Sequence, residues 1–441
     1  MAKIPYTPTS WWAPLVLVAA GCARVECDLV PAEGHAAPIL EVSGPRAVAV
    51  QAHLEVDGIA WATPVVGGHE VRLPLLGIPL GRTAAVSVAV DGRARACSLS
   101  VDAAELPEDA RVPRTAVAEA SAMSAERYLV GATMGEAPAA YVWDRSAEAL
   151  VYYRVLPPSV QVPGVQRDPW SGDLMWPEYP DVGSGQLAAE SMTGHPRTPR
   201  ALGGGHHDIE LLPGGGVAFL AVDVAPWYDP ERGETLDVVA DRIVVLTPGE
   251  EGETVFSIWD DYPELPVDSR GLNEAEAGYA WTHANGLDWD EHTGTMWMSL
   301  GFIDSLLQVD LQGPTVVRQL GGPGGIPVPG TLGFPHDPNG TGPDTVLVSR
   351  TVDGTTYASE LRIDDEAGTV EEIWGCGRAL GIEQPPLGMA KRLANGNTLI
   401  GWGLAGVLVE VTPDCTVVWR LDAGEGSWFG NGHLVEGLYA P

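Results

Sequence analysis

Basic residues are scarce in this chain: 25 Lys and Arg stand against 59 Asp and Glu, a formal net charge of −34. That shortage excludes a nucleic-acid partner, because phosphate binding needs a basic surface. Any site for an anion has to be locally positive against this background. Helical periodicity is nearly absent as well, which excludes a helix bundle. No apolar run beyond the first two dozen residues reaches the ~20 residues of a membrane helix. Motifs that announce a chemistry are missing: there is no Gly-x-Ser-x-Gly, no His-Glu-x-x-His and no Cys-x-x-Cys. Gly321-Gly322-Pro323-Gly324-Gly325 lacks the Gly-Lys-Ser/Thr of a phosphate cradle, and Asp288-x-Asp290 lacks the ligand series of a calcium loop. Neither a metal nor a cofactor is expected.

What the chain has in quantity is Gly (54) and Pro (37), spread along its length as turns between short strands would be. Lys3 precedes an apolar stretch from Trp11 to Ala20, and Ala19-Ala20-Gly21-Cys22 follows the pattern of a lipobox. Residues 1–22 therefore read as a lipoprotein signal peptide, with Cys22 as the lipidation site. The expected location is the periplasm or cell surface, with membrane contact only through the lipid. Ala23 is not the Asp of inner-membrane retention, so the outer membrane is the expected anchor. Four cysteines remain, an even number in an exported chain. Four allow three connectivities, and proximity within the inferred domains favours Cys27–Cys97 and Cys376–Cys415.

Residues 23–103 alternate apolar and polar, as in Ala47 to Val56 and Ala84 to Val90, with Asp57-Gly58 and Asp91-Gly92 as hairpin turns. A small β-sandwich of the immunoglobulin or fibronectin type is expected there. Residues 104–127, rich in Ala, Glu, Asp and Pro, read as a linker. From Tyr128 the chain repeats a phrase. His207-Asp208-Ile209-Glu210-Leu211-Leu212-Pro213-Gly214 is one copy, and copies begin again at His283, His336 and Gly388. The intervals are 76 (283 − 207), 53 (336 − 283) and 52 (388 − 336). The later two suit a four-stranded propeller blade, and the first holds an insertion around Trp227 to Gly233. At ~50 residues per blade, residues 128–441 give six blades, closed by a C-terminal strand near His433 to Tyr439. The expected class is thus all-β: a six-bladed β-propeller preceded by a small β-sandwich.

In a propeller the first strand of each blade lines the central channel, so equivalent positions converge on one axis. His207, His283 and His336 all stand at such starts. His206 should point the other way by strand alternation. A structural reading also exists for the His-Asp pairs, which can bond a neighbouring strand. The phrases Gly205-His206-His207-Asp208-Ile209-Glu210, Trp281-Thr282-His283-Ala284-Asn285, Phe334-Pro335-His336-Asp337 and Ala394-Asn395-Gly396-Asn397-Thr398-Leu399 resemble the PAPS-independent arylsulfotransferase family. The match covers most of residues 128–438, and the N-terminal β-domain is similar too.

That resemblance implies an enzyme that moves a sulfuryl group from an aryl sulfate to a phenol through a sulfohistidine. It implies His336 as nucleophile, His207 and His283 as acid/base and oxyanion partners, and Asn285 as a donor. Small phenols and aryl sulfates are the implied partners. Trp281 and Tyr279, with Trp227, Tyr228 and Trp402, are candidates for an aromatic pocket, although most of the 15 Trp suit blade cores. One departure matters. Gly301 stands where the family carries an Arg after Ser299-Leu300, and Arg350 of the neighbouring blade is the candidate replacement. The rival reading is a propeller that has lost catalysis and binds a ligand or surface polymer.

Overall fold

A computed structural model describes residues 25–440 except 32–35, 109, 182–183, 269–270, 276–277, 383–386 and 425. The stretch expected to be a signal peptide, residues 1–22 with Cys22, lies outside the described residues. The chain divides into two compact units, Met1–Glu105 and Leu106–Pro441.

The first unit is a six-stranded antiparallel sheet curled about its own core. Its spine is an 18-residue strand, Ile39–Val56. The first part of the spine pairs with Glu26–Val30 and Val66–Pro74, the second with Ile59–Ala62 and Thr83–Val90. A register shift between Ser43 and Val48 bends it from one layer into the other. Leu40, Val42, Val50, Leu54, Val86 and Val88 point into the shared core. Asp57 (φ 51°) and Gly58 (φ 85°), like Asp91 (φ 50°) and Gly92 (φ 73°), make the left-handed turns that Asp-Gly hairpins require. A disulfide joins Cys27 to Cys97.

The second unit is an all-β propeller of six sheets. From the channel outward, blade 3 starts with Gly205–Leu211, blade 4 with Ala284–Asp290, blade 5 with His336–Gly342 and blade 6 with Gly388–Arg392. Blade 2 has a two-residue inner strand, Gln166–Arg167, and a two-residue outer one, Arg200–Ala201. Blade 1 takes its inner edge from the C-terminus: Ser427–Phe429 and His433–Val435 both pair with Tyr128–Gly135. The segment expected to be a linker also enters the ring. Arg114–Val117 pairs with Val417–Asp422 as the outermost strand of blade 6. The ring is thus clasped at both edges of its seam, where Arg145 of blade 1 also meets Glu410 of blade 6 in a buried ion pair.

Adjacent blades are tied by side chains that accept backbone N–H groups around the channel. Asp208 accepts from Leu287 at 3.0 Å, Asp288 from Gly340 at 2.9 Å, Asp337 from Ala390 at 2.9 Å and Asn339 from Arg392 at 3.0 Å. The Asp of each His-Asp pair therefore does the structural work of bonding the next strand, and its histidine is left for the channel. Between blades the packing is apolar: Leu220, Ile243, Leu287 and Met298 form one such layer. The long interval in the repeat is a hairpin, Val217–Asp229 with Glu234–Leu246, on which Gly278–Ala280 and Asn273–Ala275 add strands. The strand Gly252–Ser257 ends at Ser257, whose side chain caps a short helix, Ile258–Asp261. A second disulfide joins Cys376 to Cys415.

Candidate active site

The heads of three neighbouring inner strands carry left-handed residues that are not glycine: His207 (φ 55°), His283 (φ 53°) and Asp337 (φ 47°). Each costs on the order of 1–2 kcal/mol relative to ordinary backbone, strain that clusters at functional sites. The pairing slips at the same places, between His206 and Ile209, Ala284 and Gly286, and His336 and Asn339. These bulges re-aim the side chains and break the alternation expected at His206. His206 does not turn away from His207; their Nδ1 atoms lie 2.8 Å apart.

The three histidines come together. The rings of His207 and His283 are 4.8 Å apart between centroids, edge to face. His283 stacks on Phe302 at 4.4 Å and 11°. Phe334 bridges it to His336, 5.5 Å from each ring. His207, His336 and Asn285 line a small chamber of about 40 Å³. It adjoins a wider, mostly apolar cavity of about 430 Å³, lined by His206, His207, Tyr179, Met134, Val160 and Trp428. That size and character suit a small organic ligand.

Protonation states follow from burial. His207 lies well below the ordinary imidazole range, through burial first and then its neighbours His206, His283 and His336. His283 is lowered by burial, against the pull of Asp241. Burial brings His336 down to about 4. All three are neutral near pH 7. His336 Nδ1 sits 2.9 Å from the carbonyl oxygen of Phe334, so that nitrogen carries the proton and donates it. Nε2 is then the nitrogen with the lone pair. Among the described residues at these cavities, the buried Asn285 Oδ1 and Tyr179 hydroxyl have no hydrogen-bond partner. Either could meet a ligand donor at little cost, since each is already unsatisfied.

Other candidate residues stand elsewhere. Arg350 does not reach the histidines. Its guanidinium is buried and held by Glu372 at 3.0 Å, Ser359 at 3.3 Å and the carbonyls of Pro329 and Thr331. With both terminal nitrogens engaged there, the guanidinium is not turned to a substrate oxyanion in the channel. Trp281 packs in the core against Trp259 at 5.0 Å. Tyr279 lies on the blade 3 insertion beneath the guanidinium of Arg232. Trp402 is fully buried, its Nε1 donating to Thr356. These aromatics build blades, and the aromatics beside the histidines include Phe302, Phe334, Tyr179, Trp428 and Phe429.

Gly301 has a local cause. A Cβ there would stand 2.5 Å from Asn285 Nδ2 and 2.9 Å from the Phe334 ring. The space an arginine would need is filled by Phe334, which Asp304 fixes by accepting from the backbone N–H groups of Leu332 and Phe334. Gly301→Ala is therefore expected to lose about 1–3 kcal/mol of stability by overpacking, read as a lower Tm in thermal unfolding. Among the described residues, no Lys or Arg lines either cavity.

No family model matches the sequence, and no curated protein matches it. Solved structures do. A protein of unknown function from Bacteroides caccae is 12% identical over 70% of this chain and 98% of its own, with a TM-score of 0.43. A virginiamycin B lyase from Staphylococcus aureus is 10% identical over 71% and 89%, TM-score 0.39. A quinonprotein alcohol dehydrogenase-like protein from Bacteroides thetaiotaomicron is 9% identical over 92% and 97%, TM-score 0.39. The propeller itself is read from the strand pairing, and the likeness to arylsulfotransferases rests on the motifs quoted above.

Proposed function

We propose that the channel transfers a sulfuryl group from an aryl sulfate to a phenol, with His336 as the covalent carrier. The observation that carries this reading is the tautomer of His336. Its Nδ1–H is spent on Phe334, so Nε2 offers a lone pair in a chamber it shares with His207 and Asn285. A neutral imidazole is a good nucleophile near neutral pH.

In the first step Nε2 of His336 forms an N–S bond while the bond from sulfur to the aryl oxygen breaks. The leaving phenolate takes a proton from His207, which gains it as the anion binds. In the second, the acceptor phenol returns a proton to His207 as its oxygen attacks sulfur and the N–S bond breaks. Sulfuryl group and proton both balance over the cycle. Asn285 and His283 offer N–H donors to the sulfuryl oxygens. The apolar cavity beside His207 suits the aryl ring, and Tyr179 suits its hydroxyl.

Turnover of 4-nitrophenyl sulfate tests the reading. Nitrophenol release beyond one equivalent that depends on an added phenol acceptor is expected. The rival, a non-catalytic binding propeller in the exported lipoprotein suggested by the N-terminus, is favoured by the filled Arg site at Gly301. Binding of the aryl sulfate without turnover would establish the rival instead.

A further inference from the structure

We propose that Asp241, His206 and His207 form a proton relay that makes the channel cationic only when an anion enters it, replacing a fixed cation. The proposal rests on the reading that the channel takes an anionic ester. The need comes from the site itself, since no Lys or Arg lines its cavities among the described residues. A sulfate ester carries a full negative charge, and burying it without a counter-charge costs several kcal/mol.

The geometry supplies a source of charge. Asp241 stands on Glu234–Leu246, with Oδ1 2.9 Å from His206 Nε2, a close but angled contact. Its other oxygen accepts from Ala284 at 2.8 Å and from the Thr282 hydroxyl, which fixes the carboxylate. Burial pushes this carboxyl upward, but His206 and those donors outweigh burial and hold it ionised. With His206 Nε2 turned to the carboxylate, its Nδ1 accepts from His207 Nδ1–H across 2.8 Å. His207 Nε2 is then the basic atom of the series. A proton arriving there makes an imidazolium that His206 and Asp241 orient and stabilise. The arrangement is that of a carboxylate orienting and supporting a catalytic imidazole, lengthened by one ring.

At rest His207 is neutral, because burial and then its neighbours His206, His283 and His336 disfavour a proton on it. Tyr179, on Leu174–Asp181, is the other titratable side chain at the cavity. Burial raises it, so it stays neutral too. An anion in the chamber reverses the balance, since an opposite charge within ~4–6 Å favours the charged form. Substrate and proton then bind together. Asp241 and His206 are positioning residues here, and His207 is the proton donor of the reaction.

Calorimetric titration of the full chain with 4-nitrophenyl sulfate, in buffers of different ionisation enthalpy, tests the relay. At about pH 6–7 wild type is expected to take up as much as one proton per anion bound, with Kd rising by up to about tenfold per pH unit above the free His207 value. Asp241→Asn and His206→Gln are expected to lose most of that uptake and flatten the profile while remaining folded. A pH-independent Kd with no proton uptake in wild type would overturn the relay, even if turnover is found. Proton uptake without turnover would keep the relay and remove the transferase reading. No binding of the aryl sulfate by wild type would overturn both.

Discussion

His336→Ala is expected to abolish acceptor-dependent release of nitrophenol from 4-nitrophenyl sulfate, by about four orders of magnitude or more in kcat. Among the described residues, only His336 combines a proton-donating Nδ1 anchored to a backbone carbonyl with an Nε2 open to the chamber. The loss would not come from unfolding. The substitution leaves the Phe334 carbonyl without its side-chain donor, worth about 1–3 kcal/mol. A second effect runs the other way in acid. Burial holds His336 at about 4, against 6.5 for a free imidazole. Its contribution is fully present above about pH 6.5 and is lost as pH falls toward 4, where the unfolded chain gains a proton that the folded one refuses. The loss approaches roughly 3 kcal/mol at pH 4. His336→Ala lacks this acid-sensitive term, so its stability deficit should narrow between pH 7 and pH 4 in denaturant titrations. A variant that keeps its turnover at pH 7 would remove His336 from the chemistry.

Lys391→Met is expected to destabilise the propeller by about 3–5 kcal/mol, the largest stability effect of any single change considered. Lys391 stands on the inner strand of blade 6, with Nζ 3.0 Å from Asp288 of blade 4 and 3.3 Å from Asp337 of blade 5. Glu210 of blade 3 faces the same ammonium. One buried cation thus holds carboxylates from three other blades, and burial alone would lower its proton affinity; their combined charge raises it well above the usual value. The carboxyls are already near their limit. Burial raises Asp208 to about 7, and burial with the Asp288 charge raises Glu210 to about 8. Groups raised in this way stabilise the fold below their unfolded values and lose that contribution as pH rises through the folded ones. Without Lys391 the carboxyls would repel unscreened. The deficit of Lys391→Met should therefore be greater at pH 8 than at pH 5, as measured by Cm in urea. An equal deficit at both would mean that the loss is one of packing, with no charge component.

The propeller was legible because its periodicity is written in strand starts. His207, His283, His336 and Gly388 do head the inner strands of blades 3 to 6 or the turns into them, and the Asp-Gly hairpins of the first unit fall where the dipeptides stand. Blades 1 and 2 have no such start, although the closing strand expected near His433 does pair with Tyr128–Gly135 in blade 1. Blade 2 has inner and outer strands of two residues each, too short to carry a pattern, and blade 1 borrows its inner edge from the far end of the chain. The role of Arg114–Val117 was hidden for the same reason, since its partner lies some 300 residues on at Val417–Asp422.

The convergence of the histidines was legible from the repeat, but their surroundings were not. His206 was misread because strand alternation fails at a bulge, and nothing local to Gly205-His206-His207 announces the left-handed residue that makes it. Asp241 carries no motif, and only the pairing of Glu234–Leu246 within blade 3 brings it to His206. Arg350 and Trp281 fit the site in composition and miss it in space. Arg350 had a nearer carboxylate in Glu372, and Trp281 had a core to fill. Gly301 was visible as a departure, and its reason, the ring of Phe334, became visible only in three dimensions.

The most direct test of the central claim is to mix the full chain with 4-nitrophenyl sulfate in the absence of acceptor and analyse its peptides by mass spectrometry. The account predicts a stoichiometric burst of nitrophenol and one added sulfuryl group, acid-labile and confined to the peptide that contains His336. No burst and no added mass at His336, from protein shown by calorimetry to bind the ester, would contradict it.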